Sequence, residues 1–265
     1  MNVMTSLIGV SNQKGGVAKS TNSVNIAGAL AHRGHSVLAV DTDPQGYLTN
    51  KLGLGDAYRR DPPSFADALK EPTEHHIEEF VIEHSEFDVL PSNIDMFTLE
   101  QELIASGWRP RERLQMLFDE ETLETYDHVI IDAPPSLGPI NDNVLLATRQ
   151  IMIPVEADET SILAIDHLLN QIETLEQRYE VRIVERGVVI SNVNYPLDNS
   201  QKEMIQWFEE SFEGRCPLFE IRHRAAIKRS LNAGGSIFGE NAEDTDMRDA
   251  YEEIAAELEE VANGR

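Results

Sequence analysis

Gln13-Lys14-Gly15-Gly16-Val17-Ala18-Lys19-Ser20-Thr21 stands where an apolar run, Leu7–Ser11, gives way to a segment of helical periodicity, Ser20–Arg33. A loop between a strand's carboxyl end and a helix's amino end is an anion site, because unpaired N–H groups and the helix dipole both favour negative charge there. Lys19 followed by Ser20 adds a cation for terminal phosphates and a hydroxyl for Mg2+. The general phosphate-loop pattern G-x-x-x-x-G-K-[ST] is not met, since Gln13 and Ala18 occupy its two outer glycine positions. A second lysine, Lys14, stands at the entrance of the loop. Ala18 is the mildest departure from glycine, and it is strained only if that position needs φ > 0.

Outward from this loop, short apolar runs alternate with helical patterns along the whole chain. Strands are expected at Leu7–Ser11, Ser36–Val40, Phe87–Leu90, His128–Ile131, Gln150–Pro154 and Gly187–Ser191. Helices are expected at Ser20–Arg33, Asp95–Ser106, Ile140–Thr148 and Glu159–Tyr179, the last with Ile162, Ile165, Leu168, Ile172 and Leu175 at helical spacing. All-apolar strands alternating with helices imply an α/β fold: one doubly wound, mostly parallel sheet with helices on both faces. We expect a single domain over residues 1–265. Residues 53–74, with Pro62, Pro63 and Pro72, read as an irregular insertion carrying one short helix, Ser64–Leu69.

The 265 residues carry 47 Asp plus Glu against 22 Lys plus Arg, a formal net charge of −25. Such a surface repels phosphate polymers in general. It also suits a halophile, in whose salty cytoplasm dense carboxylates keep a protein hydrated. The single cysteine, Cys216, excludes a disulfide framework within the chain. No run approaches the ~18–20 apolar residues that cross a bilayer, and no signal-peptide pattern opens the chain. A cytoplasmic location is the expectation.

Three further segments follow predicted strands, at the ends where open parallel sheets bind ligands. In Asp41-Thr42-Asp43-Pro44-Gln45-Gly46, two carboxylates one residue apart can face a γ-phosphate, one near Mg2+ and one near an attacking water. In Val129-Ile130-Ile131-Asp132-Ala133-Pro134-Pro135, an apolar strand ends in a carboxylate suited to holding Mg2+. In Val189-Ile190-Ser191-Asn192, a strand ends in an amide that can read a base edge. Each piece alone is an ordinary turn or helix cap; their joint order points to a nucleotide site.

Asn12-Gln13-Lys14-Gly15-Gly16, Asp41-Thr42-Asp43-Pro44-Gln45-Gly46 and Ile131-Asp132-Ala133-Pro134-Pro135 resemble the three signature stretches of ParA-type partition ATPases, within the deviant Walker A (ParA/MinD) family. The resemblance runs from Thr5 to about Gly239. It implies an ATPase that uses ATP and Mg2+ and works as a homodimer with ATP sandwiched between subunits. Gly15, Gly16, Val17 and Ala18 would line the phosphates, Lys19 would bind the β- and γ-phosphates, Ser20 would ligate Mg2+ and Thr21 would contact the α-phosphate. Lys14 would reach across to the partner's phosphates. Asp43 would position the hydrolytic water, Asp41 would stand close to the Mg2+ shell and Asp132 would be the switch II carboxylate. Asn192 and the stretch around Ile221 would contact adenine. An adaptor protein that stimulates hydrolysis, a large cargo such as a plasmid or chromosome, and association with the nucleoid are further implications.

Ile221–Ser230 holds Arg222, Arg224, Lys228 and Arg229 and no acid, an inversion of the chain's balance. By the same resemblance these four are candidates for non-specific DNA contacts; the opposing reading has some of them pair with the surrounding carboxylates or touch nucleotide. Residues 247–262 place Tyr251, Ile254, Ala255, Leu258 and Val261 on one stripe opposite many glutamates. A membrane-surface helix needs Lys and Arg on its polar face. The stripe is therefore expected to pack against the protein, against the alternative of a MinD-like membrane-cycling ATPase. The lone cysteine excludes relatives that hold a metal cluster between paired cysteines.

Overall fold

The computed structural model describes residues 5–118 and 124–262. Seven strands form one sheet: β1 Ser6–Val10, β2 Val37–Asp41, β3 Asp88–Leu90, β4 His128–Asp132, β5 Gln150–Glu156, β6 Val184–Val193 and β7 Leu218–Arg222. Their spatial order is β3-β2-β4-β1-β5-β6-β7, and every pairing between them is parallel. The central strands are rich in Val, Ile and Leu because a parallel sheet covered on both faces leaves no side exposed to water. Alternation is visible in the cores: Val37 and Ala39 of β2 enter one, Leu38 and Val40 the other.

The helix Lys19–His32 packs Val24, Ile26 and Leu30 on one face, while Ile140 and Val144 of the helix Pro139–Thr148 pack on the opposite face. The loops leaving β1 and β4, neighbours in the sheet, therefore diverge and open a crevice at the strands' carboxyl ends.

The last helix, Met247–Ala262, lies against the helix Lys19–His32, with Tyr251, Ile254, Ala255 and Leu258 buried in the same core. At the far end Arg33 grips Glu259 (2.6 Å) and Glu252 (2.9 Å), and His35 meets Glu259 at 2.7 Å. Hydrogen bonds from Arg33 and His35 hold the Glu259 carboxyl down at about 2. Exposing Tyr251, Ile254 and Leu258 would cost roughly 5–9 kcal/mol, so the stripe is committed to this core.

The sequence-based expectations missed several features. Residues 53–74 are not one irregular insertion with a single helix: Gly55–Tyr58 is helical, and Phe65–Lys70 is a second helix behind the Ser64–Asp67 capping box. Phe65, Ala66, Ala68 and Leu69 of that segment are core residues. The edge strand β7 buries only Ile221, so it carries no apolar run. The helix Asn199–Phe212 buries only Met204, Phe208 and Phe212, although its Asp198–Gln201 capping box is readable in the sequence.

His128 opens β4 almost fully buried, its Nδ1 without a hydrogen-bond partner among the described residues and its ring edge-on to His35 at 4.8 Å. Burial, then the neighbouring His35, push its pKa from 6.5 down to about 4. Below pH 6.5 the unfolded chain takes up a proton there and the folded chain does not, so stability falls as pH drops towards 4. We expect unfolding free energy to decline between about pH 6.5 and 5 by up to about 1.4 kcal/mol per pH unit from this group. Urea titrations of His128→Val should show a clearly shallower decline; equal slopes would remove His128 from this role.

Candidate functional site

The loop after β1 is pinned before it turns. Asn12 is buried, donates from Nδ2 to the Pro154 carbonyl (2.6 Å) and accepts the Lys14 N–H at Oδ1 (3.0 Å). The backbone then passes through left-handed conformations at Gly16 (φ 81°) and Ala18 (φ 62°), and Ala18 caps the helix that starts at Lys19. Ala18 therefore does occupy the glycine-demanding geometry. Lys19 curls back to donate to the Lys14 carbonyl at 3.0 Å, closing the loop into a ring.

This ring floors a cavity of about 480 Å³ lined by Gly15, Gly16, Ala18, Lys19, Ser20 and Thr21, with Asp43, Asn192 and Ile221 on its walls. Val17 is wholly buried and does not line the cavity, which corrects its expected role as a contact. Asp132 is wholly buried at the end of β4. Its Oδ1 accepts from Ser23 Oγ at 2.9 Å, and its Oδ2 has no hydrogen-bond partner among the described residues. Burial pushes its pKa up, while the Ser20 and Ser23 hydroxyls and the Lys19 charge oppose the shift. Burial lowers the pKa of Lys19, and the charges of Asp132 and Asp43 oppose that shift in turn.

Asp43 lines the cavity, accepts the Gln45 N–H at 2.9 Å and has its pKa raised by burial. Asp41 does not join it. One oxygen takes the Thr49 N–H (2.9 Å) and hydroxyl (2.6 Å), the other takes the Asp43 N–H (3.1 Å), and the residue is wholly buried. The structure thus corrects Asp41 from a metal ligand to the brace of its own loop. Thr49 and Ser92, which the sequence did not single out, complete that brace: Ser92 donates to the Asp43 carbonyl at 2.7 Å and its N–H to Thr49 Oγ1 at 2.9 Å.

An unpartnered carboxylate oxygen beside a serine hydroxyl and a lysine fits a hydrated Mg2+. No group of three or more His, Cys, Asp or Glu able to hold a metal occurs among the described residues. A cation here would need phosphate oxygens as well, which is how Mg2+ is usually held with nucleotides.

Lys14 does not line the cavity. Its ammonium lies against Asp158, just past β5, with Glu156, the last residue of β5, at 3.5 Å. Against the cost of burial, hydrogen bonds from Lys14 and Thr160 hold the Asp158 carboxyl below its usual range. Asn192 adopts a left-handed backbone (φ 59°) and donates to Glu156 at 2.9 Å.

The basic stretch is not an open cationic face. Arg224 is bidentate with Asp246 (2.7 and 2.6 Å), Arg229 pairs with Glu243 (2.6 Å), and Arg222 sits 3.3 Å from Glu220 and over the Tyr195 ring. Among the described residues, only Lys228 of the four has no carboxylate within ion-pair distance. Arg222, Arg224 and Lys228 also line the cavity. Asn22 and Tyr251 line it too, although the sequence showed Tyr251 only as part of an apolar stripe.

A family model described as AAA domain matches residues 5–184. The sporulation initiation inhibitor protein Soj of Bacillus subtilis is 32% identical over 196 residues, covering 71% of this chain and 73% of Soj. The chromosome partitioning protein ParA of Caulobacter vibrioides is 30% identical over 202 residues, covering 75% of this chain and 73% of ParA. Among solved structures, an ATP complex of a McdA variant from Cyanothece superposes with a TM-score of 0.83 over 97% of each chain, at 20% identity.

Left-handed backbone costs a residue with a Cβ about 1–2 kcal/mol. Part of this is offset in a glycine variant by the freer unfolded chain. Ala18→Gly should therefore raise stability by about 0.5–1 kcal/mol, read as a melting point a few degrees higher in calorimetry. A lower melting point would show that Ala18 is not strained.

Proposed function

The chain belongs to the ParA/Soj-type family of partition ATPases, and on that premise we propose that it is an ATP-dependent dimer that positions a large cargo. ATP and Mg2+ occupy the cavity above the loop 13–21, and each site is completed by Lys14 of a second copy. The observation that carries this reading is the place of Lys14. It stands at the mouth of the loop, outside its own cavity and tied to Asp158, so its charge is not spent on its own subunit's ligand.

Phosphoryl transfer needs positioning and neutralised charge more than covalent help. Lys19, the loop N–H groups and the helix dipole take the negative charge of the phosphates. Asp43 orients a water whose oxygen bonds to the γ-phosphorus as the bond to the β–γ bridging oxygen breaks. Ser20, and Asp132 through a water, would hold Mg2+, which would supply charge neutralisation. Basal turnover is slow until an adaptor protein engages.

The DNA association implied by the family rests on residues 222–229. Their arginines must exchange carboxylates for phosphates, so binding is weak, reversible and strongly salt-dependent. A location on the nucleoid follows from that association. No described helix is long and apolar enough to cross a membrane, and the packed helix Met247–Ala262 counts against the membrane-cycling alternative. The carboxylate excess fits a cell of high internal salt.

Light scattering should show a monomer that becomes a dimer with Mg2+ and ATP but not with ADP. Asp43→Ala should hold that dimer and lose hydrolysis by about 100-fold or more, and Lys14→Ala should lose both. A Lys14→Ala protein that dimerises and hydrolyses normally would overturn the shared site. DNA retention by the four contacts at Arg222, Arg224, Lys228 and Arg229 should fall roughly 150-fold for a fourfold rise in salt; retention indifferent to salt would remove residues 222–229 from DNA binding.

A further inference from the structure

One wall of the cavity is a run of buried hydrogen bonds that begins on the last helix. Tyr251 Oη donates to Asn22 Oδ1 at 2.7 Å, and Asn22 Nδ2 donates to Ser191 Oγ at 2.9 Å. Ser191 Oγ then donates to the Val189 carbonyl at 3.3 Å. Tyr251 and Asn22 are wholly buried, Ser191 is 2% exposed, and all three line the cavity.

The three come from separate segments. Asn22 lies three residues after Lys19 on the helix that leaves the loop. Ser191 lies near the carboxyl end of β6, just before the left-handed Asn192. Tyr251 belongs to a stripe whose other members, Ile254, Ala255 and Leu258, are apolar.

Packing alone does not ask for a hydroxyl in that stripe, since phenylalanine would fill nearly the same space. A buried hydroxyl is retained at low cost only where it is hydrogen-bonded. Here its one partner is an amide in the cavity wall. With Tyr251 in place, Asn22 has its oxygen engaged and one N–H committed to Ser191, so its side chain cannot swing. The wall stands ordered before any ligand arrives, and a pre-ordered wall binds more tightly than one that must be ordered by the ligand.

We propose that Tyr251 is a positioning residue for the base and ribose end of the nucleotide site, acting through Asn22 and Ser191. The inference rests on the reading of the cavity as an ATP site. It makes the last helix a part of nucleotide binding: ordering that helix and binding ATP favour each other, reciprocally. None of Lys14, Lys19, Asp43 or Asp132 belongs to the run, so its effect falls on the part of the ligand that carries no phosphate charge.

Calorimetric titration of the whole protein with Mg2+-ATP and with inorganic tripolyphosphate separates the possibilities. Tyr251→Phe keeps the ring and removes the hydroxyl. Ile254→Val loosens the same helix without touching the run. The expected result is ATP binding weakened about five-fold in Tyr251→Phe, with tripolyphosphate binding unchanged and Ile254→Val binding both ligands as the wild type does. ATP affinity unchanged in Tyr251→Phe, both ligands weakened equally, or Ile254→Val weakened to the same degree would each overturn the inference. A wild-type protein that binds tripolyphosphate but gains nothing from the base and ribose overturns it too. A wild type that binds neither ligand overturns the ATP reading and this inference with it.

Discussion

Two carboxylates stand side by side inside the sheet. Asp41 ends β2, Asp132 ends β4, the two are register partners, and neither reaches solvent. Like charges at that spacing in a dry interior cannot both ionise without compensation. The surroundings answer each differently. Asp41 is wrapped by Thr49, and burial, then the charge of Asp132, push its pKa up. Asp132 keeps one oxygen for Ser23 and leaves the other free within the field of Lys19. The brace through Thr49 and Ser92 and the fit for a cation both follow from this pair. One carboxylate is structural and holds its loop, which leaves Asp43 to face the cavity.

Much of this was legible in the sequence because it is written in local pattern. Apolar runs located six strands, and carboxylates and amides at their ends located the cavity. The remainder depends on packing that no local pattern carries. Asp41 and Asp43 look equivalent in Asp41-Thr42-Asp43, and only the distant Thr49 and Ser92 separate them. β7 hid because an edge strand with one buried residue has no apolar run. Tyr251 read as packing because its partner lies 229 residues away in the chain. Ala18 is the reverse case: its strain was conditional on a backbone angle, and the angle proved left-handed.

The basic stretch shows how strongly a net charge of −25 acts locally. Arg224 and Arg229 are each met by a carboxylate from the segment before the last helix. Exposed pairs of this kind contribute little to stability, but they set the exchange that any phosphate must win. Lys14 is held in the same way by Asp158 and Glu156. On the proposed reading, its release towards a second subunit would exchange these two carboxylates for the phosphates of the partner's ATP.

The central claim is that a complete site takes Lys14 from one subunit and Asp43 from the other. Mixing Lys14→Ala protein with Asp43→Ala protein tests it directly, since neither hydrolyses ATP alone. With sharing between subunits, mixed dimers contain one complete site, and an equal mixture recovers hydrolysis that neither variant shows alone, up to about a quarter of wild type at random pairing. If both residues act within one subunit, no mixture recovers any activity, and the account is contradicted.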